Sequence, residues 1–194
     1  MIALSLSYTA PLICHPDTRS QAVDGITVRV RWMPDGALAL TYIVTADCPR
    51  LWIPQQQAAA RVDGLWRHTC FETFVAVPDS LAYQEWNFSP SGEWATYHFR
   101  TYRERVSAEE DVAPHIYVHQ TEQGLELDAR IRLPQQLTTQ ELRLALSAVI
   151  EDNTGLLSYW ALRHPAGKPD FHHLEARTLQ IAPLPGVATR GERQ

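Results

Sequence analysis

Apolar and polar residues alternate with a period of two along most of this chain, and this pattern restricts the fold more than any other feature. Residues 26–32 and 38–44 alternate in this way and flank a Pro-Asp-Gly turn. Such a pattern predicts a β-hairpin with one buried face and one solvated face. Helical signals are scarce, and the longest, over residues 55–62, would give only about two turns. No predicted helix is long enough to cover a parallel sheet.

Further strand signals occur between turn-forming residues through the rest of the chain. They lie at residues 69–77, 83–88, 93–100, 115–121, 125–133, 142–151 and 157–163, with weaker candidates at 4–8 and 179–182. Short helical turns are predicted at residues 139–142 and 168–175. The pattern indicates an all-β fold, an antiparallel β-sandwich of jelly-roll or immunoglobulin-like type with about nine to eleven strands and few short helices.

Length, charge and cysteine content narrow the class of protein. A chain of 194 residues can bury a sizeable core, and we expect one domain over residues 1–182 with a loosely held tail over residues 183–194. A net charge of −5 does not favour nucleic acid or an anionic membrane as a partner, and no apolar stretch approaches the length of a membrane-spanning helix. Three cysteines without paired spacing and an N-terminus without a secretory pattern predict reduced thiols and a cytoplasmic location.

Strand alternation also sorts side chains onto the two faces of a sheet. If residues 89–92 form the loop of a hairpin, Asn87 pairs with Trp94, and both share an outer face with Glu85. Alternation over residues 69–77 places Glu72 on the outer side of its strand. The side chains that the same alternation assigns to the main core include Phe71, Val75, Tyr97, Phe99, Leu144 and Leu146. Carboxylates and an amide beside an aromatic ring are typical of a sugar site or another site for flat ligands. The alternative is that a loop, such as residues 101–114, covers this face and makes it a second small core.

A loop rich in proline and glycine follows the last strong strand signal. It contains His164, His172, His173, Asp170 and Lys168, which is the only lysine of the chain. The loop either is structural or contacts a ligand. A zinc site would need three convergent nitrogens, but His172 and His173 are adjacent and would point apart, so we expect no bound metal.

Three stretches of the chain resemble the bacterial DOMON-like proteins, which are relatives of the DOMON and family 9 carbohydrate-binding-module β-sandwiches. They are residues 65–74, 83–97 and 164–173. The resemblance implies a ligand-binding β-sandwich, with sugars and haem as the two ligand classes, and it assigns Glu72 to the glutamate-bearing strand of the carbohydrate modules. Haem-binding relatives use a methionine and a histidine as axial ligands. This chain has only Met1 and Met33, so we expect neither haem nor another cofactor.

These observations favour a non-enzymatic module that binds a small, saccharide-like molecule. Trp94 would stack on the ligand, while the hydrogen-bonding groups and the rim of the site would come from Glu72, Glu85, Asn87, His164, Lys168, Asp170 and His172. One alternative is a glycan-directed hydrolase that uses Glu72 or Glu85 with a histidine such as His164 or His98. Another is a module that binds a protein along an exposed sheet edge.

Overall fold

Two antiparallel β-sheets form the molecule, as the computed structural model shows for residues 7–107 and 112–185. Within these ranges the strands are β1 (Ser7–Cys14), β2 (Val23–Trp32), β3 (Leu38–Ala46), β4 (Cys70–Ala76), β5 (Tyr83–Phe88), β6 (Trp94–Thr101), β7 (Glu104–Val106), β8 (His115–Gln120), β9 (Gly124–Ile131), β10 (Leu142–Glu151), β11 (Leu157–Ala161) and β12 (Leu179–Ile181). The helical elements are α1 (Gln135–Thr138) and 3-10 turns at Pro16–Thr18, Cys48–Arg50, Leu65–Arg67 and Leu174–Ala176. The predicted all-β fold is therefore confirmed.

Strand β1 belongs to both sheets. Sheet A has the order β1-β2-β3-β9-β8, and sheet B has the order β7-β6-β5-β4-β10-β11-β1. The short strand β12 pairs with the first part of β10. The sandwich is thus closed along β1, while β7 and β8 form the two ends of the strand path.

The main core lies between the inner faces of the two sheets. Alternate residues of β4 and β10 enter it, including Phe71, Val75, Leu144 and Leu146, as the sequence predicted. Burial of such side chains contributes roughly 1.5–3 kcal/mol each to folding. This packing leaves Glu72 on the outer face of sheet B, one residue along the strand from Phe71.

Residues 55–62 are extended, so the helix predicted there is wrong. Their main chain instead bonds to the β5–β6 hairpin: Gln57 N donates to Ser91 O at 2.7 Å, Trp94 N to Ala60 O at 3.0 Å and Val62 N to Trp94 O at 2.8 Å. These tertiary hydrogen bonds replace those that a helix would have made within the segment.

The other local differences are small. The helical turn predicted at residues 139–142 occurs earlier, as α1, and the turn predicted within 168–175 occurs as Leu174–Ala176. Strand β7 was not predicted, and β1 extends well beyond the weak candidate at residues 4–8, part of which lies outside the described residues. Most of the predicted tail, residues 186–194, also lies outside them. No helix within the described residues is long and apolar enough to cross a membrane.

Candidate ligand-binding site

A pocket of about 370 Å³ opens on the outer face of sheet B. Its floor carries the carboxyl groups of Glu72 and Glu85, and Arg103, Arg105 and His172 also line it. Its apolar lining comes mainly from aromatic rings, those of Trp66, Tyr97, Phe99, Tyr159 and Phe171. The volume lies within the range of small-molecule sites, and the combination of rings with a few polar groups is typical of them.

Strand register brings the polar groups of the floor together. Glu72 of β4 pairs with Asn87 of β5 on one side and with Ser147 of β10 on the other. Glu85 pairs with Phe74, two residues further along β4, so the two glutamates are diagonal neighbours on one face. Diagonal neighbours lie roughly 7–8 Å apart at the backbone, within reach of long side chains.

Trp94 lies on the opposite face of the sheet, and the predicted pairing of the β5–β6 hairpin is wrong by one residue. Trp94 pairs with Phe88 and is 7% exposed, while Glu85 pairs with Tyr97. The hairpin closes where Ser89 N donates to Glu93 O at 2.9 Å, and Gly92, at φ 91°, occupies the left-handed region in the turn. The extra residue in the loop reverses the face of every β6 side chain. Tyr97 and Phe99, predicted for the main core, therefore face the pocket side.

Both glutamates of the floor are buried, Glu72 to 3% exposure and Glu85 to 4%. Burial and the nearby Glu85 carboxyl raise the pKa of Glu72 well above its usual value, against a smaller lowering by Arg103. Burial raises the pKa of Glu85 to about 7, although Asn87 Nδ2 donates a hydrogen bond of 2.9 Å to its Oε1. The protein therefore favours the neutral form of each acid.

His172 extends from the histidine-rich loop onto this floor. Its Nδ1 lies 2.8 Å from the Tyr83 hydroxyl, and its Nε2 lies 3.7 Å from Glu85 Oε2. Burial and the positive charge of Arg103 lower the pKa of His172 to about 4. The imidazole is thus neutral at neutral pH and does not form an ion pair with Glu85.

Two buried polar atoms beside Glu72 have no hydrogen-bond partner among the residues that the structure describes. They are Oδ1 of Asn87 and Oγ of Ser147, which flank Glu72 on the neighbouring strands. Buried polar groups in proteins are usually paired, so such atoms are unusual. They add to the polar character of the floor around Glu72.

Two arginines at the mouth of the pocket contact other carboxylates. Arg103 donates to Asp170 Oδ1 at 2.9 Å, and the Tyr102 hydroxyl donates to Asp170 Oδ2 at 2.7 Å. The Arg105 guanidinium lies 4.0 Å from the centre of the Tyr97 ring and 3.8 Å from Asp63 Oδ1. These contacts hold the β6–β7 turn and β7 at the edge of the site.

The outer face is partly covered by the histidine-rich loop, which forms the second small core of the alternative prediction. Phe171 and Ala176 of the loop pack with Phe74, Tyr83 and Phe99 into a second apolar cluster. The pocket remains open beside this cluster. Residues of the β6–β7 turn also contribute to the cover, while residues 108–111 of the loop predicted for this role lie outside the described part of the chain.

The other residues of the histidine-rich loop lie apart from the floor. Nε2 of His164 lies 2.8 Å from Ile13 O, and Nδ1 of His173 accepts from Glu175 N at 3.2 Å. Lys168 and Asp170 line a neighbouring groove with Arg103. In the described residues, no group of three or more His, Cys, Asp or Glu side chains is arranged to hold a metal.

Of the predicted site residues, the structure therefore brings Glu72, Glu85, Asn87 and His172 together. Sequence reasoning did not assign the following pocket residues to the site: Trp66, Tyr97, Phe99, Arg103, Arg105, Tyr159 and Phe171. The Ser-Pro-Ser-Gly-Glu sequence was a usable signal for the two β6 rings, because glycine at its fourth position is typical of a hairpin with a one-residue bulge.

Comparisons with known proteins agree with this architecture. No protein-family profile matches the chain, and no curated protein matches it in sequence. A family 9 carbohydrate-binding module from Caldicellulosiruptor kristjanssonii, solved with cellotriose, superimposes with a TM-score of 0.55 and 12% identity over 77% of this chain and 69% of that one. The same kind of module solved with glucose gives a TM-score of 0.52 at 12% identity, over 77% and 71% of the two chains.

A third solved structure covers more of the chain. A protein from Bacteroides uniformis, whose suggested role is carbohydrate binding, gives a TM-score of 0.62 and 14% identity over 87% of this chain and 83% of that one. Identities this low establish similarity of fold. The chain thus has the β-sandwich fold found in family 9 carbohydrate-binding modules.

Proposed function

We propose that this protein is a non-enzymatic binding module for a small saccharide and that the pocket on sheet B is its binding site. The observation that carries the proposal is the pairing of aromatic walls with a floor of buried hydrogen-bonding groups. A sugar ring presents apolar C–H faces and polar hydroxyl edges, which match rings and carboxyl groups respectively. The structural neighbours solved with glucose and cellotriose support the same class of ligand.

Within this proposal, Trp66 and Tyr97 supply ring surface, with their ring centres 5.9 Å apart. Glu72 and Glu85 accept hydrogen bonds from sugar hydroxyl groups when ionised, and they can also donate one when protonated. Asn87 holds Glu85 in position through its hydrogen bond, and His172 lies beside the same carboxyl group. Lys168, Asp170 and His164 lie outside the pocket lining, and their proposed role is restricted to the loop that forms its rim.

We also propose that the protein is related to the bacterial DOMON-like proteins and that it is located in the cytoplasm of a bacterium. The location is supported by the thiols of Cys14, Cys48 and Cys70, which are all free. The proposed ligand is a small molecule rather than nucleic acid or a membrane, in keeping with the net charge of −5.

The test is calorimetric titration with a panel of mono- and oligosaccharides that includes glucose and cellotriose. Trp66→Ala should weaken binding by about 5- to 150-fold, by analogy with the roughly 1–3 kcal/mol that aromatic stacking contributes. Trp52→Ala is the matched control, because both tryptophans are 42% exposed and Trp52 packs on His68 outside the pocket. Equal affinities for the two variants would contradict the assignment of the site.

The paired carboxyl groups also allow a second candidate function, a glycoside hydrolase. Glycosidases use two carboxyl groups, one of which is held protonated near neutral pH, and the raised pKa of Glu85 fits such an acid. Incubation with aryl glycosides tests this candidate directly. We expect no turnover above that of the Glu72→Gln and Glu85→Gln variants, whereas turnover that both substitutions abolish would favour the hydrolase.

A further inference from the structure

The floor of the pocket carries two buried acids without a cationic partner. Glu72 and Glu85 are almost fully buried. In the described part of the chain, the basic nitrogen that approaches either carboxyl group within 4 Å is His172 Nε2, at 3.7 Å from Glu85. That imidazole is neutral at neutral pH because burial lowers its pKa. Without a counter-charge each acid is held mainly in its neutral form, because a buried carboxylate is costly. A cationic ligand would remove that cost, so it would favour the carboxylate form and bind to it.

The arginines at the mouth act on these acids only through space, and their own contacts are with other groups. Arg103 is engaged with Asp170 at 2.9 Å, and Arg105 lies over the Tyr97 ring and 3.8 Å from Asp63. Both arginines are about half exposed, which weakens their effect on the floor. The positive charge at the mouth is therefore matched by carboxylates other than Glu72 and Glu85.

The walls also suit a cation. Faces of aromatic rings attract positive charge, and tryptophan does so most strongly. Trp66, Tyr159 and Phe171 line the pocket, and the contact of Arg105 with Tyr97 shows that a ring of this wall accepts a cation on its face.

We propose that the pocket selects a saccharide that carries an ammonium group, with this group bound on the floor between Glu72 and Glu85. The proposal rests on the saccharide-binding function proposed above and specifies the class of sugar. An ammonium group donates three hydrogen bonds, which suits two carboxylates together with an unpaired acceptor such as Asn87 Oδ1. A neutral sugar of the same shape would meet acids that remain largely protonated and would gain no attraction between charges.

The experiment compares glucosamine, glucose, N-acetylglucosamine and glucuronic acid by calorimetric titration of the whole protein at neutral pH. Glucosamine should bind about tenfold or more tightly than glucose, as expected for hydrogen bonds to a buried charged group. N-acetylglucosamine and glucuronic acid should bind more weakly than glucosamine, because the first lacks the charge and the second reverses it.

Charge-removing variants separate the floor from the general negative charge of the protein. Glu72→Gln and Glu85→Gln should reduce the preference for glucosamine over glucose to within about twofold. Glu126→Gln, on β9 of the opposite sheet, is the matched control and should leave the preference unchanged. Thermal melts of each variant confirm that it is folded.

The possible results are distinct. If glucose binds as tightly as glucosamine, or if glucuronic acid binds most tightly, the ammonium proposal is overturned and the saccharide function stands. If no sugar of the panel and no oligosaccharide binds, both proposals fail. A preference for glucosamine that survives both glutamate variants, or that Glu126→Gln also removes, overturns the assignment to the floor.

Discussion

The hydroxyl of Tyr42, on β3 of sheet A, donates a hydrogen bond of 2.7 Å across the core to the main-chain carbonyl of Glu72, on β4 of sheet B. The Tyr42 hydroxyl oxygen also lies 2.7 Å from Thr73 Oγ1. Tyr42 is fully buried and packs against Phe71. The strand that carries the pocket floor is therefore held from behind by a side chain of the opposite sheet.

Tyr42→Phe should lower the free energy of unfolding by about 1–3 kcal/mol, because it removes a buried hydroxyl and leaves polar partners unpaired. It should also weaken ligand binding, since β4 loses a contact that positions Glu72. Chemical denaturation and titration with the best ligand measure the two effects. Tyr8→Phe removes another hydroxyl, which accepts from Ala182 N at 2.9 Å, and should alter stability alone. Equal binding losses in both variants would refute the positioning role.

Stability should fall as pH rises through the titration of Glu85. The pKa of this acid is raised to about 7 by burial, so the folded state binds its proton more tightly than the unfolded state does. The stabilising contribution is complete below the unfolded value of about 4.3 and is lost as pH increases through about 7. Glu72 acts in the same direction, because its pKa is also raised by burial.

Glu85→Gln isolates this effect. Relative to the native protein, the variant should gain on the order of 2–3 kcal/mol of stability between about pH 4.5 and pH 8. The comparison between variant and native protein largely cancels the opposite contribution of His172, whose lowered pKa adds stability as pH rises from about 4 towards its ordinary value. The positive charges of Arg103 and Arg105 lower the pKa of Glu85, against the larger effect of burial. Denaturation curves at a series of pH values measure the difference, and a constant difference would show that Glu85 does not titrate in this way.

Trp94→Ala should destabilise the protein by about 3–5 kcal/mol, the range for removal of a large buried ring. Trp94 is 7% exposed and pairs with Phe88 on the inner face of sheet B. Trp66→Ala should cost less, about 1 kcal/mol, because that side chain is already 42% exposed in the folded protein. Thermal melts of the two variants give the comparison. A small loss for Trp94→Ala would restore the placement that the sequence predicted.

Asp170 connects the histidine-rich loop to the β6–β7 turn without lining the pocket. It accepts hydrogen bonds from Tyr102, Arg103 and the main-chain nitrogen of His172, the last at 3.1 Å. Asp170→Ala should therefore weaken binding about 3- to 10-fold, because the loop that carries Phe171 and His172 loses its attachment to the β6–β7 turn. Titration measures this loss, with Lys168→Ala as an exposed control in the same loop. Unchanged affinity in Asp170→Ala would show that the loop is held by its apolar contacts alone.

The sequence predicted those parts of the fold that depend on local alternation. Strands β4 and β10 are long and uninterrupted, so Phe71 and Leu144 were assigned to the core and Glu72 to the outer face. The register of the β5–β6 hairpin was predicted wrongly, because it depends on whether the loop has an even or an odd number of residues. Gly92, at a positive φ, allows the bulge that adds one residue to the loop, and the signal for it lies in the turn sequence rather than in the alternation of the strands.

In the candidate site, too, residues on regular strands could be predicted and residues on turns and loops could not. Glu72 and Glu85 lie on regular strands, and their shared face could be predicted. Arg103 and His172 reach the pocket from a tight turn and an irregular loop. Their positions depend on tertiary hydrogen bonds to Asp170 and Tyr83, which have no periodic signal in the sequence.

Because β1 pairs with β2 in one sheet and with β11 in the other, the protein is one ribbon of strands creased along its N-terminal strand. The main core also contains side chains from both sheets, so the two sheets should unfold as one cooperative unit. Amide hydrogens near the crease should then exchange with solvent more slowly than those of β7 and β8, the free margins of the ribbon. Arg105 of β7 lies at one such edge and also lines the pocket, so we expect local opening of β7 to alter one wall of the candidate site.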